Sequence, residues 1–315
     1  MESARPVRHN IGFCIRGIPM EKNIRRGALE MTGAMLISGS IGWFVLASGL
    51  SVLNVVFWRC VFGTLALLAI CGWRGLLRRE LLSARVLGWA ALGGVAIVFN
   101  WVLLFAAYSH ASIAIATTVY NTQPLMLVVL GAVLLRERIA ADKLVWLATG
   151  FIGMLVIVNA RADAGYASGS YLAGVALALG AAFLYAIAAL IAKRLTGTPP
   201  HLIALIQVAV GIVLLAPLAD FSAMPQGSGW SYLVVMGIVH TGVMYVWLYG
   251  AIQKLPTVIT GTLAFIYPVA AIAVDWVAFG HRLQPLQWCG VAAVLLATAG
   301  MSLGWRVLRR NRAGA

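Results

Sequence analysis

The chain has 315 residues, of which 62% are hydrophobic and 10% charged, and its mean hydropathy is +0.94. That composition excludes a water-soluble domain and describes an integral membrane protein. The formal charge of +14 implies no nucleic-acid partner, because the basic residues lie between apolar runs and not on one soluble face.

Residues 1–27 read as a basic cytoplasmic tail. Within it, Met20-Glu21-Lys22 has the form of a natural start, which would leave residues 1–19 as a loosely ordered extension. The apolar stretch from Met31 to Leu50 is too long for a signal peptide and is followed by further spans, so it reads as an uncleaved first helix. A helix needs about 20 apolar residues to cross roughly 30 Å of hydrocarbon. Stretches of that kind fall at 28–48, 52–73, 86–107, 111–134, 143–160, 170–192, 202–219, 231–250, 257–279 and 287–305. The expected fold is an all-α polytopic membrane protein with ten transmembrane helices.

With the N-terminus inside, 20 of the 23 Lys and Arg residues fall in inner segments, Arg161 and Arg282 in outer loops, and Arg59 within the second span. This bias places both termini in the cytoplasm.

The segment from Ala107 to Leu135, with Thr118 and Pro124 and then Arg136-Glu137-Arg138, returns 144 positions later as Ala251 to Phe279, with Thr262, Pro268 and Gly280-His281-Arg282. In the same register Trp101 meets Tyr245 and Phe105 meets Tyr249. Six identities between 107 and 139 make the repeat clear in pattern and weak in identity. Five spans per half is an odd number, so the halves enter the bilayer in opposite directions, as in carriers whose solute site lies between inverted repeats. The expected units are 28–160 and 170–305, joined by an external connection at 161–169 and followed by a cytoplasmic tail at 306–315.

Arg59 is the outlier among the spans. A central arginine costs about 2.5–3.5 kcal/mol on insertion scales and each apolar neighbour returns about 0.3–0.6. It therefore faces the bundle or an aqueous cavity, holding either a substrate carboxylate or helix-end carbonyls. Asp275 is the acid well inside a span, with three readings open: a proton-coupling group, a counter-ion to Arg59, or a snorkelling interfacial acid. Glu30, beside Arg25 and Arg26, reads as complementing the dipole of the first helix. Glu137, Arg138, Asp142 and Lys143 read as a solvated cytoplasmic turn.

Pro124 and Pro268 withhold a donor from the carbonyls of Tyr120 and Ala264, which predicts kinks acting as paired hinges. Around them lie Asn100, Trp101 and Tyr108 on the third span, and Thr117, Tyr120, Asn121 and Gln123 on the fourth. Tyr185, His240, Tyr245, Tyr249 and Tyr267 supply the other half. Such residues either line a pathway or bond between helices. Ser38 with Gly42, Gly150 with Gly153, and Gly300 with Gly304 form small-residue stripes for close helix packing.

Cys14, Cys60, Cys71 and Cys289 show no pairing pattern and no metal spacing, so neither a disulfide, a metal site nor a cofactor is expected. The sequence has no phosphate-binding loop, nucleophile elbow or zinc helix, which speaks against an ATP-driven pump or an enzyme.

The run WVLLFAAYSHASIAIATTVYNTQPLMLVVLGAVLLRERI, with a Gly-rich span after it, resembles the repeat of the EamA family of the drug/metabolite transporter superfamily. There, small residues precede a mid-helix proline and a Gly-Glu-Arg-like end. The resemblance covers about residues 27–305, includes Arg59 on the second helix, and is similar in character to the YddG-type bacterial exporters. Arg136 departs from the pattern's Gly, and His281 from the second repeat's Glu. What the resemblance implies is a secondary carrier in the bacterial inner membrane. It would export neutral and aromatic amino acids by alternating access through a central cavity, as a monomer or homodimer. Another metabolite, a nucleobase or an amphiphilic drug are alternative substrates; a channel or membrane sensor is the alternative of another class.

Overall fold

The computed structural model describes residues 18–110, 116, 119–137, 139–159, 171–222, 224–279 and 285–307. Among them the regular elements are all helical. They are α1 (Ile18–Ser38), α2 (Ile41–Ala47), α3 (Val52–Trp73), α4 (Ala84–His110), α5 (Gln123–Leu134), α6 (Ala141–Asn159) and α7 (Tyr171–Arg194). There follow α8 (Pro200–Leu215), α9 (Gly229–Gly237), α10 (Met244–Lys254), α11 (Thr257–Ala264), α12 (Ile266–Phe279) and α13 (Pro285–Leu303). A 3-10 turn lies at Arg79–Leu81, and a π-helical segment, Ile238–Val243, joins α9 to α10. Lys22–Val45, Val52–Trp73, Ala84–Ala107, Leu172–Arg194 and Gly229–Lys254 are long and apolar enough to cross a membrane, and shorter apolar helices accompany them. This is a multi-pass membrane protein.

Several helix ends follow from local sequence. Gly75, at φ +63°, ends α3 and lets the Leu76 amide reach back to the Cys71 carbonyl at 2.8 Å. Gly304, at φ +68°, ends α13 in the same way, with the Trp305 amide 2.9 Å from the Gly300 carbonyl. Glycine suits both positions because left-handed backbone crowds a Cβ. Gly304 is thus a helix terminator and not part of a packing stripe. Arg136, a non-glycine residue, also lies in the left-handed region at φ 54°, at a cost of about 1–2 kcal/mol.

Helix α4 packs on α7 and α8, α1 on α10 and α12, α3 on α8, α5 on α7, and α6 on α13. Small residues set some of these distances. A Cβ on Gly153 would come within 2.8 Å of the Gly290 carbonyl oxygen, and one on Gly150 within 2.7 Å of the Phe265 ring. Gly42, by contrast, has open space where a Cβ would go and makes no such packing contact.

Three expected spans are interrupted. The first, 28–48, is α1 and α2 separated at Gly39-Ser40; within the fourth, α5 begins after a turn at Asn121-Thr122; the ninth is α11 and α12 separated at Phe265. The eighth runs through the π-helical segment. Pro124 and Pro268 fall in the first turn of a new helix, where a missing N–H costs little. They follow breaks and do not kink a continuous helix. Replacing either proline by Ala is therefore expected to change stability by less than about 1 kcal/mol, read from thermal unfolding in detergent. A loss of several kcal/mol would show that the prolines hold the breaks.

Polar side chains join distant segments at the turn after α10. Lys254 Nζ lies 2.5 Å from Glu30 Oε2, and Arg26 Nε donates to Glu30 Oε1 at 3.0 Å. Glu137 accepts from the Thr257 amide at 3.0 Å and its hydroxyl at 2.6 Å, and pairs with Lys193 at 3.0 Å. Lys193 Nζ also donates to the Leu255 carbonyl at 2.5 Å, and Gln253 Nε2 donates to the carbonyls of Leu195 and Thr198 at 3.2 and 3.1 Å. Two expectations change here. Glu30 lies inside α1 and pairs across the bundle instead of serving a helix start, because α1 begins earlier, at Ile18. Glu137 caps α11 instead of facing solvent in a charged turn, and Asp142 accepts from the Val307 amide at 3.0 Å. Arg138 lies outside the described residues.

Burial pushes the Glu137 carboxyl up, but the Thr257 hydrogen bonds and Lys193 outweigh it and hold the group below its ordinary value. A carboxyl depressed on folding contributes stability above its unfolded pKa, and the contribution is lost as pH falls through the lower folded value. Glu137→Gln should lower stability at neutral pH by about 1–3 kcal/mol and flatten the acid-side decline. Unfolding in detergent across that pH range checks both.

Candidate substrate cavity

Helix α3 carries Arg59 into the bundle, where the side chain is 1% exposed. Its Nε donates to Thr241 Oγ1 at 2.8 Å and its Nη2 to the His240 carbonyl at 3.0 Å. The guanidinium lies 4.1 Å from the centroid of the Trp101 ring and 6.0 Å from that of Tyr245. The wider turn of the π-helical segment departs from the regular helical ladder, and it is this segment that turns the His240 carbonyl to the arginine. Thr241 Oγ1 donates in turn to the Met236 carbonyl at 3.0 Å. Two charge-assisted bonds of about 1.5–3 kcal/mol each, with a cation–π contact of about 0.5–2, offset an insertion cost of about 2.5–3.5. Among the described residues no carboxylate pairs with Arg59.

The same segment is tied to the break in the first span, since Ser40 Oγ and His240 Nε2 lie 2.8 Å apart. Close approach of α3 depends on Gly63, whose Cβ, if present, would sit 2.7 Å from Thr241 Cγ2.

Arg59 lines a cavity whose walls come from several elements. Ser38, Ile41 and Gly42 flank the first break, Trp101, Leu104 and Phe105 come from α4, and Tyr120 and Gln123 flank the break before α5. Tyr185 of α7, Met244, Tyr245 and Leu248 of α10, and Tyr267 of α12 complete most of the wall. The cavity has a volume of about 80 Å³, against roughly 10–15 Å³ for one water. There is room for more than an isolated water. Irregular backbone at membrane depth persists where protein buries it or a cavity borders it, and all three breaks have neighbours in this wall. Among the described lining residues there is no acid.

The structure thus brings Arg59, Trp101, Tyr120, Gln123, Tyr185, Tyr245 and Tyr267 to one cavity. Asn100 is buried behind the wall, donating to the Ala181 carbonyl at 2.6 Å and to the Tyr120 hydroxyl at 3.3 Å. Tyr249 donates to the amide oxygen of Gln207, and His240 stands behind Arg59. Asn121 is buried at the break without lining the cavity. Thr117 and the side chains of Tyr108 and Asp275 lie outside the described residues. Sequence reasoning passed over Thr241, Gln207 and Ser40. The first two carry the signal that singled out Asn100, a polar residue within an apolar run.

The profile of the EamA-like transporter family matches the chain over residues 25–159 and again over 172–303. The uncharacterized transporter YxxF of Bacillus subtilis is 31% identical over 282 residues, covering 87% of this chain and 88% of its own length. RarD of Streptomyces exfoliatus is 28% identical, covering 81% of this chain and 79% of its own. The threonine/homoserine exporter RhtA of Escherichia coli is 25% identical, covering 78% and 80%. A crystal structure with 21% identity superposes with a TM-score of 0.75 over 88% of this chain and 97% of that one, a likeness of fold alone. With the two profile matches together spanning most of its length, the chain belongs to the EamA-like transporter family.

Proposed function

We propose that this chain is a secondary exporter of neutral amino acids, aromatic ones included, resembling the YddG type and working by alternating access. The observation that carries the reading is Arg59, fixed by the π-helical segment and Trp101, facing an aromatic cavity with no acidic partner among the described residues. A zwitterion's carboxylate supplies the missing anion, and its side chain meets the rings of Trp101, Tyr120, Tyr185, Tyr245 and Tyr267. The similarity to the threonine/homoserine exporter RhtA favours the amino-acid class.

In this reading the protein lies in the bacterial inner membrane as ten spans, with units at 28–160 and 170–305 related by inversion, both termini cytoplasmic and residues 161–169 outside. The two profile matches support the repeat, as does reciprocal packing: α4 meets α7 as α10 meets α1, and α5 meets α7 as α12 meets α1. The breaks beside Pro124 and Pro268 supply the hinges. Scarcity of acids around the cavity favours transport without obligatory proton coupling, with Asp275 or His240 the groups to test otherwise. The carrier works as a monomer or homodimer.

In purified proteoliposomes, counterflow of Phe, Met and Thr should be saturable at symmetric pH. Movement of none of them, or movement only under an imposed proton gradient, would overturn this reading. A cysteine at Ser168 should label from outside while a C-terminal tag stays protected in intact cells; surface labelling of that tag would sink the topology.

A further inference from the structure

Among the polar groups of the cavity, Gln123 stands apart. It opens α5, is 5% exposed, and its Oε1 has no hydrogen-bond donor. The other buried side-chain N and O atoms left without a partner among the described residues belong to residues outside the cavity wall. Buried polar atoms are almost always paired because an orphan forfeits its hydration for nothing in return. An orphan amide oxygen on a residue of a solute cavity marks a place for a donor brought by the solute.

The nearby cation has the opposite character, and two of the nearby tyrosine hydroxyls are already engaged as acceptors. Arg59 only donates, the Tyr120 hydroxyl already accepts from Asn100 Nδ2 at 3.3 Å, and the Tyr245 hydroxyl accepts from Trp101 Nε1 at 3.0 Å. Helix α3 packs on α4, α8 and α9, and α5 on α7 and α11, so Arg59 and Gln123 reach the cavity from separate walls. A solute with an anionic and a cationic end suits that separation, because it keeps the ligand's positive group away from the guanidinium.

We propose that Gln123 determines specificity by receiving the substrate's α-ammonium, while Arg59 receives its carboxylate. The proposal rests on the amino-acid reading above. A neutral amide holds an ammonium by a hydrogen bond without neutralising Arg59 or trapping the cargo in a fixed ion pair. A solute without the ammonium forfeits that bond, and its apparent affinity should fall roughly tenfold to hundredfold.

The test is competition against counterflow of labelled Phe by unlabelled Phe, 3-phenylpropionate and phenethylamine, in the wild-type protein, Gln123→Met and Gln123→Glu. Wild type should prefer Phe over 3-phenylpropionate by roughly tenfold or more, and Gln123→Met should narrow the preference to about threefold or less. Gln123→Glu should keep or widen it and turn phenethylamine into a competitor. A preference that stays at its wild-type value in Gln123→Met, or phenethylamine that remains inert in Gln123→Glu, would overturn the proposal. If the methionine variant does not fold, the phenethylamine result decides alone. Wild-type protein that moves no Phe refutes the amino-acid reading as well, whereas normal Phe transport with insensitivity to Gln123 refutes only the assignment of the ammonium site.

Discussion

Arg59→Ala is expected to lower counterflow of phenylalanine roughly a hundredfold while the protein remains folded. The two effects separate because the stability terms oppose each other. Truncation strips donors from the His240 carbonyl and Thr241, yet it also removes the insertion cost of about 2.5–3.5 kcal/mol that a buried arginine carries. Thr241 keeps its bond to the Met236 carbonyl. A carboxylate in the cavity has no such replacement, since no other cation lines the wall among the described residues. Arg59→Lys should fall between the two, because a point-charge ammonium cannot serve Thr241 and His240 while stacking on Trp101. Wild-type rates in Arg59→Ala would reduce Arg59 to a structural tether.

The second large effect is expected at Gly39. A Cβ there would lie 2.6 Å from Ala270 Cβ, 2.7 Å from the Ala270 carbonyl carbon and 2.8 Å from the Ala271 nitrogen. Backbone atoms cannot rotate away as a side chain can, so Gly39→Ala must push the first break off α12, at a cost of about 1–3 kcal/mol. Ser40 would move with it and disturb His240, whose carbonyl holds Arg59. Weaker competition by unlabelled Phe should therefore accompany the lower unfolding temperature. Gly88→Ala, where a Cβ meets nothing within 4 Å, should be neutral or stabilising by up to about 1 kcal/mol. Equal stability of the two variants would show that the contact at Gly39 yields freely.

Much of the helix layout could be read from hydropathy, because span length and apolar content are one-dimensional properties. The stretch 52–73 coincides with Val52–Trp73. The breaks could be read only in part: Pro124 and Pro268 marked the fourth and ninth spans as irregular, but where the helix stops at Gly39-Ser40 and at Phe265 depends on distant partners. Ser40 finds His240, and Phe265 lies against Gly150. The π-helical segment is equally silent, because a wider turn alters geometry without altering composition. For the cavity, isolated polar and aromatic residues were visible as candidates, but which of them meet depends on helix rotation and pairing. Asn100 and Tyr249 therefore stand behind the wall while Tyr185 and Gln123 lie in it. Glu137 looked solvated inside Arg136-Glu137-Arg138, and only the folded chain brings Lys193 and Thr257 to it.

The ties around the turn after α10 have a polarity. Glu30 and Glu137 belong to one half of the chain, and their partners Lys254 and Lys193 to the other. Two copies of the first half would leave Glu137 without Lys193 and Glu30 with Arg26 alone, and two copies of the second would leave Lys193 and Lys254 without these carboxylates. Such mismatches disfavour self-pairing relative to union of the two halves. Halves synthesised as separate polypeptides would accordingly select each other over their own kind.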